Sequence, residues 1–413
     1  MALLFAADDK FADVIVVLEA RGWRRLPYAG CPKAHLKWTN YSKLSWPRVA
    51  PTQLVNHFQH AVLFSRKDQF AELLYAHGTR QNGGQVAVDG CFPRTFDLSQ
   101  LLDRRRLRQW FLYSRAVAVL KQSASANRAA PEVDRALLAT AMALATHVLS
   151  NERAFTGWRL EETAPAASSS EKEGSLDVDA PEWQPLLSTP TEFQALNWED
   201  NNTRRRVDAL LEQLTQRDPQ ITAISSSLNR SVWICKPANL SQGRGIVLCT
   251  SLGELEALSN TNQQGNQDDA LEKQQPSTAA KWIVQKYVER PLLLQHGRKF
   301  DIRQWVLITA LIPEPTAFWY HRSYLRFCGR KFSLSRLQDR FTHLSNYSVQ
   351  RDFVANDTDQ EAGKPATGLQ STDDDGGDFE LMWSSERARE TLRSVWLGFD
   401  FLVDETHRVW LLE

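Results

Sequence analysis

The runs Lys299-Phe300-Asp301-Ile302-Arg303 and Asp400-Phe401-Leu402-Val403-Asp404 … Trp410-Leu411-Leu412-Glu413 decide the fold of this chain. Each alternates polar and apolar residues with period two, as a strand with one polar and one apolar face does. The polar face of the first run carries a cation, an anion and a cation. The polar face of the second offers carboxylates from two strands of a hairpin. Together the two faces predict a site for a nucleoside triphosphate and its magnesium ion.

The terminal hairpin is predicted from its turn, because residues 403–409 have the pattern of strand, short polar turn and strand. If Thr406 and His407 form a two-residue loop, the residue numbers of each cross-strand pair sum to 813 (406 plus 407). Asp400 then lies opposite Glu413. Cross-strand Cβ atoms lie about 4.5–5.5 Å apart, and Mg²⁺ prefers oxygen ligands such as paired carboxylates. An exposed hairpin with two solvated acids is the alternative interpretation.

Length and composition limit the class of protein. The 413 residues are enough for two or three domains, and equal numbers of basic and acidic residues (49 each) predict neither an acidic nor a basic partner. The five cysteines have no CxxC spacing, which fits reduced thiols in a cytosolic protein better than disulfides or zinc. Because no apolar run is long enough to span a bilayer, we expect a soluble intracellular protein.

Three domains are expected: an N-terminal mixed α/β domain at 1–100, a helical segment at 101–228 with a disordered linker at about 161–190, and a catalytic α+β domain at 229–413. Polar tracts predict further insertions at 259–280 and 355–378. Hydrophobic periodicity predicts helices over 11–21, 55–76, 99–122, 131–151, 333–340 and 380–397. It predicts strands over 231–236, 245–250, 282–288, 299–311 and 316–327.

A lysine and a glycine loop form the first candidate phosphate site. Lys236 ends a strand, and Gly243 and Gly245 follow in the loop. Glycines let backbone N–H groups approach phosphate oxygens closely. The loop is not a Walker A motif, because its lysine precedes the glycines. An ordinary hairpin turn is the alternative.

The segment Gln285-Lys286-Tyr287-Val288 ends the next predicted strand. Such a strand end can offer backbone N–H and C=O groups to the edge of an adenine ring, with a lysine close by. The alternative is a plain strand end with a solvated Lys286.

Three charged residues share one strand face: Lys299, Asp301 and Arg303. The cations could bind phosphate or carboxylate, and Asp301 could orient them or place a substrate amino group. Arg326 is a cation between apolar residues, and Asn346 ends the run 342–346. For each of these residues a hydrogen-bonded structural role is the alternative.

Six motifs, in their order along the chain, resemble the ATP-grasp catalytic domain of the tubulin–tyrosine ligase-like family. They are the lysine loop, Gln-Lys-Tyr-Val, Lys-Phe-Asp-Ile-Arg, Leu-Arg-Phe, His-Leu-Ser-Asn and the terminal hairpin. The resemblance covers roughly residues 229–413. It implies that Lys236 and Lys286 contact ATP phosphates and that Tyr287 and Val288 lie against adenine through their backbone. The other cofactor-binding positions that it implies are Gln285, Gly243, Gly245, Lys299 and Asp301.

The same resemblance implies that the catalytic residues Lys299, Asp301 and Arg303 face the phosphates and the incoming amino acid. Arg326 would lie near the acceptor or acyl-phosphate. The metal site that it implies consists of Asp400, Glu413 and Asn346.

Five further features resemble the glycylase branch of this family: the segments 36–39, 56–57, 91–96 and 343–350, and the pairing of 236–237 with 243–246. The branch implies an ATP- and Mg²⁺-dependent ligase that adds free glycine to glutamate side chains of tubulin tails, through an acyl-phosphate. It further implies a monomer in the cytoplasm and cytoskeleton, in a cilium or flagellum axoneme, without nucleic acid or membrane. The alternatives are a glutamate ligase (polyglutamylase) of the same family and a catalytically deficient tubulin-binding protein.

The end of the sequence departs from the family pattern, which continues as Glu-x-Asn with the asparagine as a further magnesium ligand. From this we expect either a truncated chain or a metal-deficient one. Acidic tails also predict a basic groove, for which the sequence offers two clusters, 104–108 and 204–206. Solvated helix faces are the alternative for both clusters.

Overall fold

The structure is a computed structural model and describes residues 2–28, 30–80, 88–125, 134–150, 176–187, 201–226, 231–264, 281–310, 313–314, 316–358, 370–372, 378–384, 387 and 400–412. The chain divides into two compact units, Met1–Phe70 and Ala71–Glu413. The division precedes the boundary expected at residue 100, because the strand at Thr95–Asp97 belongs to a sheet of the second unit.

The first unit contains a parallel sheet with the strand order β2-β1-β3-β4. Its strands are β1 (Leu4–Ala7), β2 (Arg24–Arg25), β3 (Leu36–Trp38) and β4 (Leu54–Val55). Its helices are α1 (Ala12–Ala20), α2 (Val62–Ser65) and the start of α3 (Lys67–Arg80). Helix α1 confirms the prediction over 11–21, and it buries Ile15 against Phe5 and Ala7 of β1.

The single helix expected over 55–76 is wrong at its start. Val55 instead pairs with Lys37 in the sheet, and the side chain of Asn56 binds the backbone of Thr39 at 3.1 Å through both its oxygen and its nitrogen. These bonds to residues distant in sequence hold residues 55–56 in an extended conformation. Helix α3 begins only after Arg66, whose ψ of 123° is extended.

The first sheet of the second unit is antiparallel, with the order β5-β8-β6-β7. Its strands are β5 (Thr95–Asp97), β6 (Trp233–Pro237), β7 (Val247–Cys249) and β8 (Trp282–Lys286). Apolar side chains from one face of this sheet form a core with the long helices. The helices up to residue 264 are α4 (Leu101–Ser125), α5 (Arg135–Ser150), α6 (Gln184–Leu187), α7 (Asn201–Arg217) and α8 (Leu252–Gln264).

A second antiparallel sheet has the order β16-β13-β10-β17-β18, and β9 pairs with β10. Its strands are β9 (Leu293–Leu294), β10 (Arg298–Arg303), β13 (Tyr324–Phe327), β16 (Met382–Ser384), β17 (Asp400–Val403) and β18 (Val409–Leu411). Separate two-stranded sheets are formed by β11 (Val306–Ala310) with β12 (Thr316–Trp319) and by β14 (Gln370–Thr372) with β15 (Asp378–Glu380). Two more helices are α9 (Arg340–His343) and α10 (Tyr347–Thr358). Helices and antiparallel sheets together make the unit α+β, as predicted.

Several predicted elements differ from the structure. The two long strands over 299–311 and 316–327 are each divided in two, because the side chain of Gln304 binds the carbonyls of Trp305 and Tyr320 at the division. Residues 333–339 form turns and no helix. The helix expected over 380–397 is wrong at its start, where β16 pairs with β13. Residues 388–397 lie outside the described part of the chain.

Parts of the polar tracts lie within the described residues. Residues 161–175 and 265–280 lie outside the described residues, whereas residues 176–187 bury Leu176, Trp183 and Leu186 in the helical core. The polar composition of this segment predicted that the entropy cost of ordering would keep it unfolded. Burial of these three apolar side chains offsets that cost. Helix α8 extends to Gln264, inside the second tract. Among the described residues, no helix has the length and apolarity needed to cross a membrane.

Candidate functional site

Lys236 and Gln285 lie on one face of the sheet β5-β8-β6-β7. The pairs Ile234–Gln285 and Lys236–Ile283 place these side chains together, because directly paired residues share a face. Lys236 is only 6% exposed, and its ammonium donates to Oε1 of Gln285 at 2.9 Å. The apolar neighbours Ile234 and Leu248 pack against the segment that carries Leu344 and Val349. A buried cation on this face can receive an anionic ligand.

Lys286 lies on the opposite face of the same sheet. It pairs with Trp233, and its ammonium binds the carboxylate of Glu289 and the carbonyl of Val232. Glu289 also accepts the N–H groups of Ser225 and Val232, at 2.8 and 2.7 Å. Burial lowers the pKa of Lys286, and Glu289 opposes that shift. The structure therefore does not bring together the two lysines expected at the phosphates; Lys286 is held in a buried ion pair.

Tyr287 and Val288 have side chains in different apolar clusters. Tyr287 packs beside Ile234, and Val288 packs beside Leu402 and Trp410. The backbone N–H of Tyr287 donates to the carbonyl of Val232 at 3.2 Å. This N–H therefore already has a partner within the sheet, and adenine contact from this segment stays a prediction.

Lys299 is held between Tyr287 and His343. Its ammonium donates to the carbonyl of His343 at 2.7 Å and lies 4.8 Å from the centre of the Tyr287 ring. The imidazole is fixed at both nitrogens: Nε2 is 3.0 Å from the carbonyl of Arg336, and Nδ1 is 3.0 Å from the hydroxyl of Tyr287. Because a carbonyl only accepts, Nε2 carries the proton and Nδ1 accepts from the hydroxyl. Burial, and then the charge of Lys299, lower the pKa of His343 to about 4, so the ring is neutral near pH 7.

Asp301 and Arg326 form a buried two-point ion pair. The strands β10 and β13 place them directly opposite each other, with Nε and Nη2 of Arg326 at 2.6 and 2.7 Å from the two carboxylate oxygens. The hydroxyl of Ser345 also donates to Asp301, at 2.6 Å. Three of the predicted catalytic residues are thus brought together, since Lys299 and Asp301 contact the segment His343–Ser345 from the same strand face.

The glycine loop lies against the start of α10. A Cβ added at Gly243, where φ is +72°, would lie 2.8 Å from Val349 and 2.9 Å from Oδ1 of Asn346. The hydroxyl of Ser348 donates to the carbonyl of Gln242 at 2.7 Å. Gly245 also has a positive φ, of +70°. The loop therefore requires glycine at residue 243 for its conformation and for its close contact with Asn346.

The terminal hairpin has a different register from the one predicted. Its pairs are 401 with 411, 402 with 410 and 403 with 409, so paired positions sum to 812, not 813. The carboxylate of Asp404 accepts from the N–H groups of Thr406 and Arg408, and His407 has a φ of +63°. These bonds build a three-residue loop with a left-handed last residue. The one-residue change removes the direct pairing of Asp400 with residue 413.

The predicted metal site is only partly within the described residues. Asp400 is paired with Arg303 on β10, and Glu413 lies outside the described residues. In the part of the chain that is described, no three His, Cys, Asp or Glu side chains come together as metal ligands. The carboxylate pair expected for magnesium therefore stays a prediction.

Sequence reasoning missed four residues that hold the site: Thr95, Glu289, His343 and Ser345. Each is buried and hydrogen-bonded to a predicted site residue or to its direct partner. His343 and Ser345 stand in the His-Leu-Ser-Asn run, which was a usable signal. Thr95 stands in the segment 91–96 that resembles the glycylase branch, but its partner Gln285 is distant in sequence. Glu289 gave no signal, although it lies only three residues after Lys286.

The two arginine clusters differ in their surroundings. Arg106 is buried and pairs with Asp103, and Arg108 pairs with Asp179. The second cluster, residues 204–206 on α7, is exposed throughout. Only the second cluster is therefore a solvent-facing group of three cations.

The fold and site define an α+β domain with buried cations on two antiparallel sheets. Residues 187–373 match the model of the Tubulin-tyrosine ligase family.

Among curated relatives, the chain is 36% identical over 192 residues to "Tubulin monoglycylase TTLL3" of Mus musculus, covering 46% of this chain and 17% of that protein. It is 34% identical over 223 residues to "Protein monoglycylase TTLL8" of Homo sapiens, covering 52% and 22%. It is 23% identical over 485 aligned positions to "Tubulin glycylase 3C" of Tetrahymena thermophila, covering 99% and 43%. The chain thus spans less than half the length of these relatives.

Proposed function

We propose that this chain is an ATP-dependent protein-glycine ligase, with an ATP-grasp catalytic domain, that adds glycine to glutamate side chains of tubulin tails. The names of the similar proteins support the substrate and the amino acid. One observation of the structure carries the chemistry: buried Lys236 and Lys299 lie on strands that pack against or bind the segment 343–349. Buried Arg326 is ion-paired with Asp301, which accepts from Ser345 of the same segment. Cations buried next to one segment suit a polyanionic ligand such as ATP.

The proposed reaction forms an amide in two steps. The glutamate γ-carboxylate takes the γ-phosphoryl group of ATP, giving an acyl-phosphate and ADP; the amine of glycine then attacks the acyl carbon, and phosphate leaves. Lys236 and Lys299 would neutralise charge on the phosphates, and Arg326 would lie near the acyl-phosphate. Mg²⁺, when bound, would supply further positive charge at the phosphates, with Asp400, Asn346 and Glu413 as its proposed ligands.

No covalent enzyme intermediate is required, and the thiol beside Lys299 is unsuited to one. Cys328 is fully buried, and burial raises its pKa to about 12. A thiol is a nucleophile only as the thiolate, which is scarce at neutral pH for this residue. Direct phosphoryl transfer to the acceptor carboxylate fits these surroundings.

The acceptor tail of tubulin is acidic, and the exposed cluster at residues 204–206 is proposed to attract it. Such attraction acts at long range and weakens as salt increases. We further propose that the protein acts as a monomer on the cytoskeleton, in the axoneme of a cilium or flagellum.

The function is tested by incubating the chain with ATP, microtubules and, in turn, labelled glycine, glutamate and tyrosine. Glycine incorporation is expected, with a loss of at least about 100-fold in Lys236→Met, since removing a key transition-state charge costs about 2.7–4 kcal/mol. Lys33→Met, a change at an exposed lysine of the first unit, is the matched control. Incorporation of glutamate would select the polyglutamylase alternative. Microtubule binding without any incorporation would select a catalytically deficient protein.

A further inference from the structure

Thr95 lies outside residues 187–373, which match the family, but its side chain reaches the candidate nucleotide site. It stands on β5, directly paired with Gln285 on β8, so both side chains share the face that carries Lys236. Thr95 is 3% exposed and Gln285 is also 3% exposed. Neither side chain can exchange its partners for water without opening the sheet.

Three hydrogen bonds run in one direction from Lys236 to Pro93. The hydroxyl of Thr95 lies 2.7 Å from the carbonyl of Pro93, which can only accept, so the hydroxyl donates there. The oxygen of the Thr95 hydroxyl then accepts a hydrogen bond from the amide nitrogen of Gln285, at 2.9 Å. With the nitrogen of Gln285 fixed toward Thr95, its oxygen faces Lys236 and accepts from the ammonium at 2.9 Å.

The direction of this chain matters, because an amide can turn over and exchange its oxygen and nitrogen. A reversed Gln285 would present N–H groups to the ammonium of Lys236, two donors facing each other without an acceptor. The Thr95 hydroxyl excludes this arrangement because its single proton is already used at Pro93.

From this geometry we infer that Thr95 is a positioning residue for the candidate nucleotide site: it orients the amide of Gln285, and through it the ammonium of Lys236. The consequence for ATP rests on the proposed function, whereas the orientation of Lys236 does not. A residue of the segment 91–96 therefore acts on a lysine about 140 positions later in the chain, across two strand pairings.

Two substitutions separate the hydroxyl from the shape of the side chain. Thr95→Val removes the hydroxyl and keeps the volume, and Thr95→Ser keeps the hydroxyl. Thr140→Val is the matched control, since the Thr140 hydroxyl donates to the carbonyl of Ala136 on its own helix.

The first measurement uses no nucleotide: the rate at which an amine-acylating reagent labels Lys236, followed by mass spectrometry. We expect Thr95→Val to increase this rate at least about threefold relative to Lys33, with Thr95→Ser and Thr140→Val like the wild type. A loss of fold stability alone would raise labelling of many buried lysines together, including Lys286. Unchanged labelling of Lys236 in Thr95→Val, or a general rise, overturns the inference.

The second measurement is steady-state kinetics of glycine incorporation. Thr95→Val is expected to raise KM for ATP about tenfold, which corresponds to about 1.4 kcal/mol, while KM for glycine stays unchanged and Thr95→Ser restores the wild-type value. Equal effects of the valine and serine variants would contradict the role of the hydroxyl. If the wild type incorporates no amino acid, the proposed function fails, and the labelling result still decides the inference.

Discussion

Mild acid is expected to destabilise the second unit through His343. This imidazole is 1% exposed, and both of its nitrogens are used by Tyr287 and Arg336. A proton added to Nδ1 would remove the bond from the Tyr287 hydroxyl and place a second cation beside Lys299. The folded protein therefore resists protonation at this residue.

The magnitude follows from the pKa of His343, which burial and Lys299 lower to about 4. In the unfolded chain the pKa returns to about 6.5. Between these values the unfolded state binds a proton that the folded state does not, so stability falls as the pH falls through this window. The expected loss from pH 8 to pH 5 is about 2 kcal/mol, and it approaches about 3 kcal/mol below pH 4.

The assay is urea unfolding at pH 8 and pH 5, for the wild type and for His343→Gln. The variant is expected to be less stable at pH 8 by about 1–2 kcal/mol, because the hydroxyl of Tyr287 loses its acceptor. Its further loss on acidification should be smaller than that of the wild type by about 2 kcal/mol. His147→Gln, a change at an exposed histidine of α5, is the control and should keep the wild-type pH dependence.

Asp339, the carboxyl next to the His343 segment, does not produce the same pH dependence. Asp339 has a lowered pKa, caused by hydrogen bonds from Arg330 and Thr342 that outweigh the opposing effect of burial, so its contribution is lost only below its ordinary value of 3.8. If wild type and His343→Gln lose the same stability between pH 8 and pH 5, the imidazole is not held neutral and the reasoning is refuted.

Three further changes test the site and the hairpin. Asp301→Asn leaves the Arg326 guanidinium without its buried partner, so we expect a loss of about 3–5 kcal/mol in urea unfolding and loss of glycine incorporation. Gly243→Ala is expected to destabilise by about 1–3 kcal/mol because its Cβ meets Val349 and Asn346; Gly253→Ala, with nothing within 4 Å, should be neutral or stabilising. Asp404→Ala removes the acceptor of the hairpin loop and should lower the free energy of unfolding by about 2–3 kcal/mol. A thermal unfolding midpoint equal to that of the wild type would exclude the loop as the source of the register.

Period-two patterns predicted local geometry well. The strand β10 presents Lys299 and Asp301 on one face because alternation is a property of the backbone within a single strand. The same rule could not give the partner of Asp301, since pairing with Arg326 depends on the register of β13. Helices α4 and α5 were also predictable from hydrophobic periodicity.

The hairpin shows where local reasoning stops. A turn of two residues and a turn of three residues suit the same sequence, and they differ by one in register. The side chain of Asp404 selects the longer turn, and it does so together with Trp410 and Thr222, which also bind its carboxylate. Thr222 is distant in sequence, so the preference is visible only in the folded chain.

The sequence alone predicted the α+β class, the strand faces and a resemblance to one family, because these depend on alternation, periodicity and motif order along the chain. The tertiary structure decided that Lys236 and Lys286 lie on opposite faces of one sheet and that Thr95 faces Gln285. The physical reason is that a face is set within one strand, whereas a partner is set by register between strands, which the loops and the packed core control.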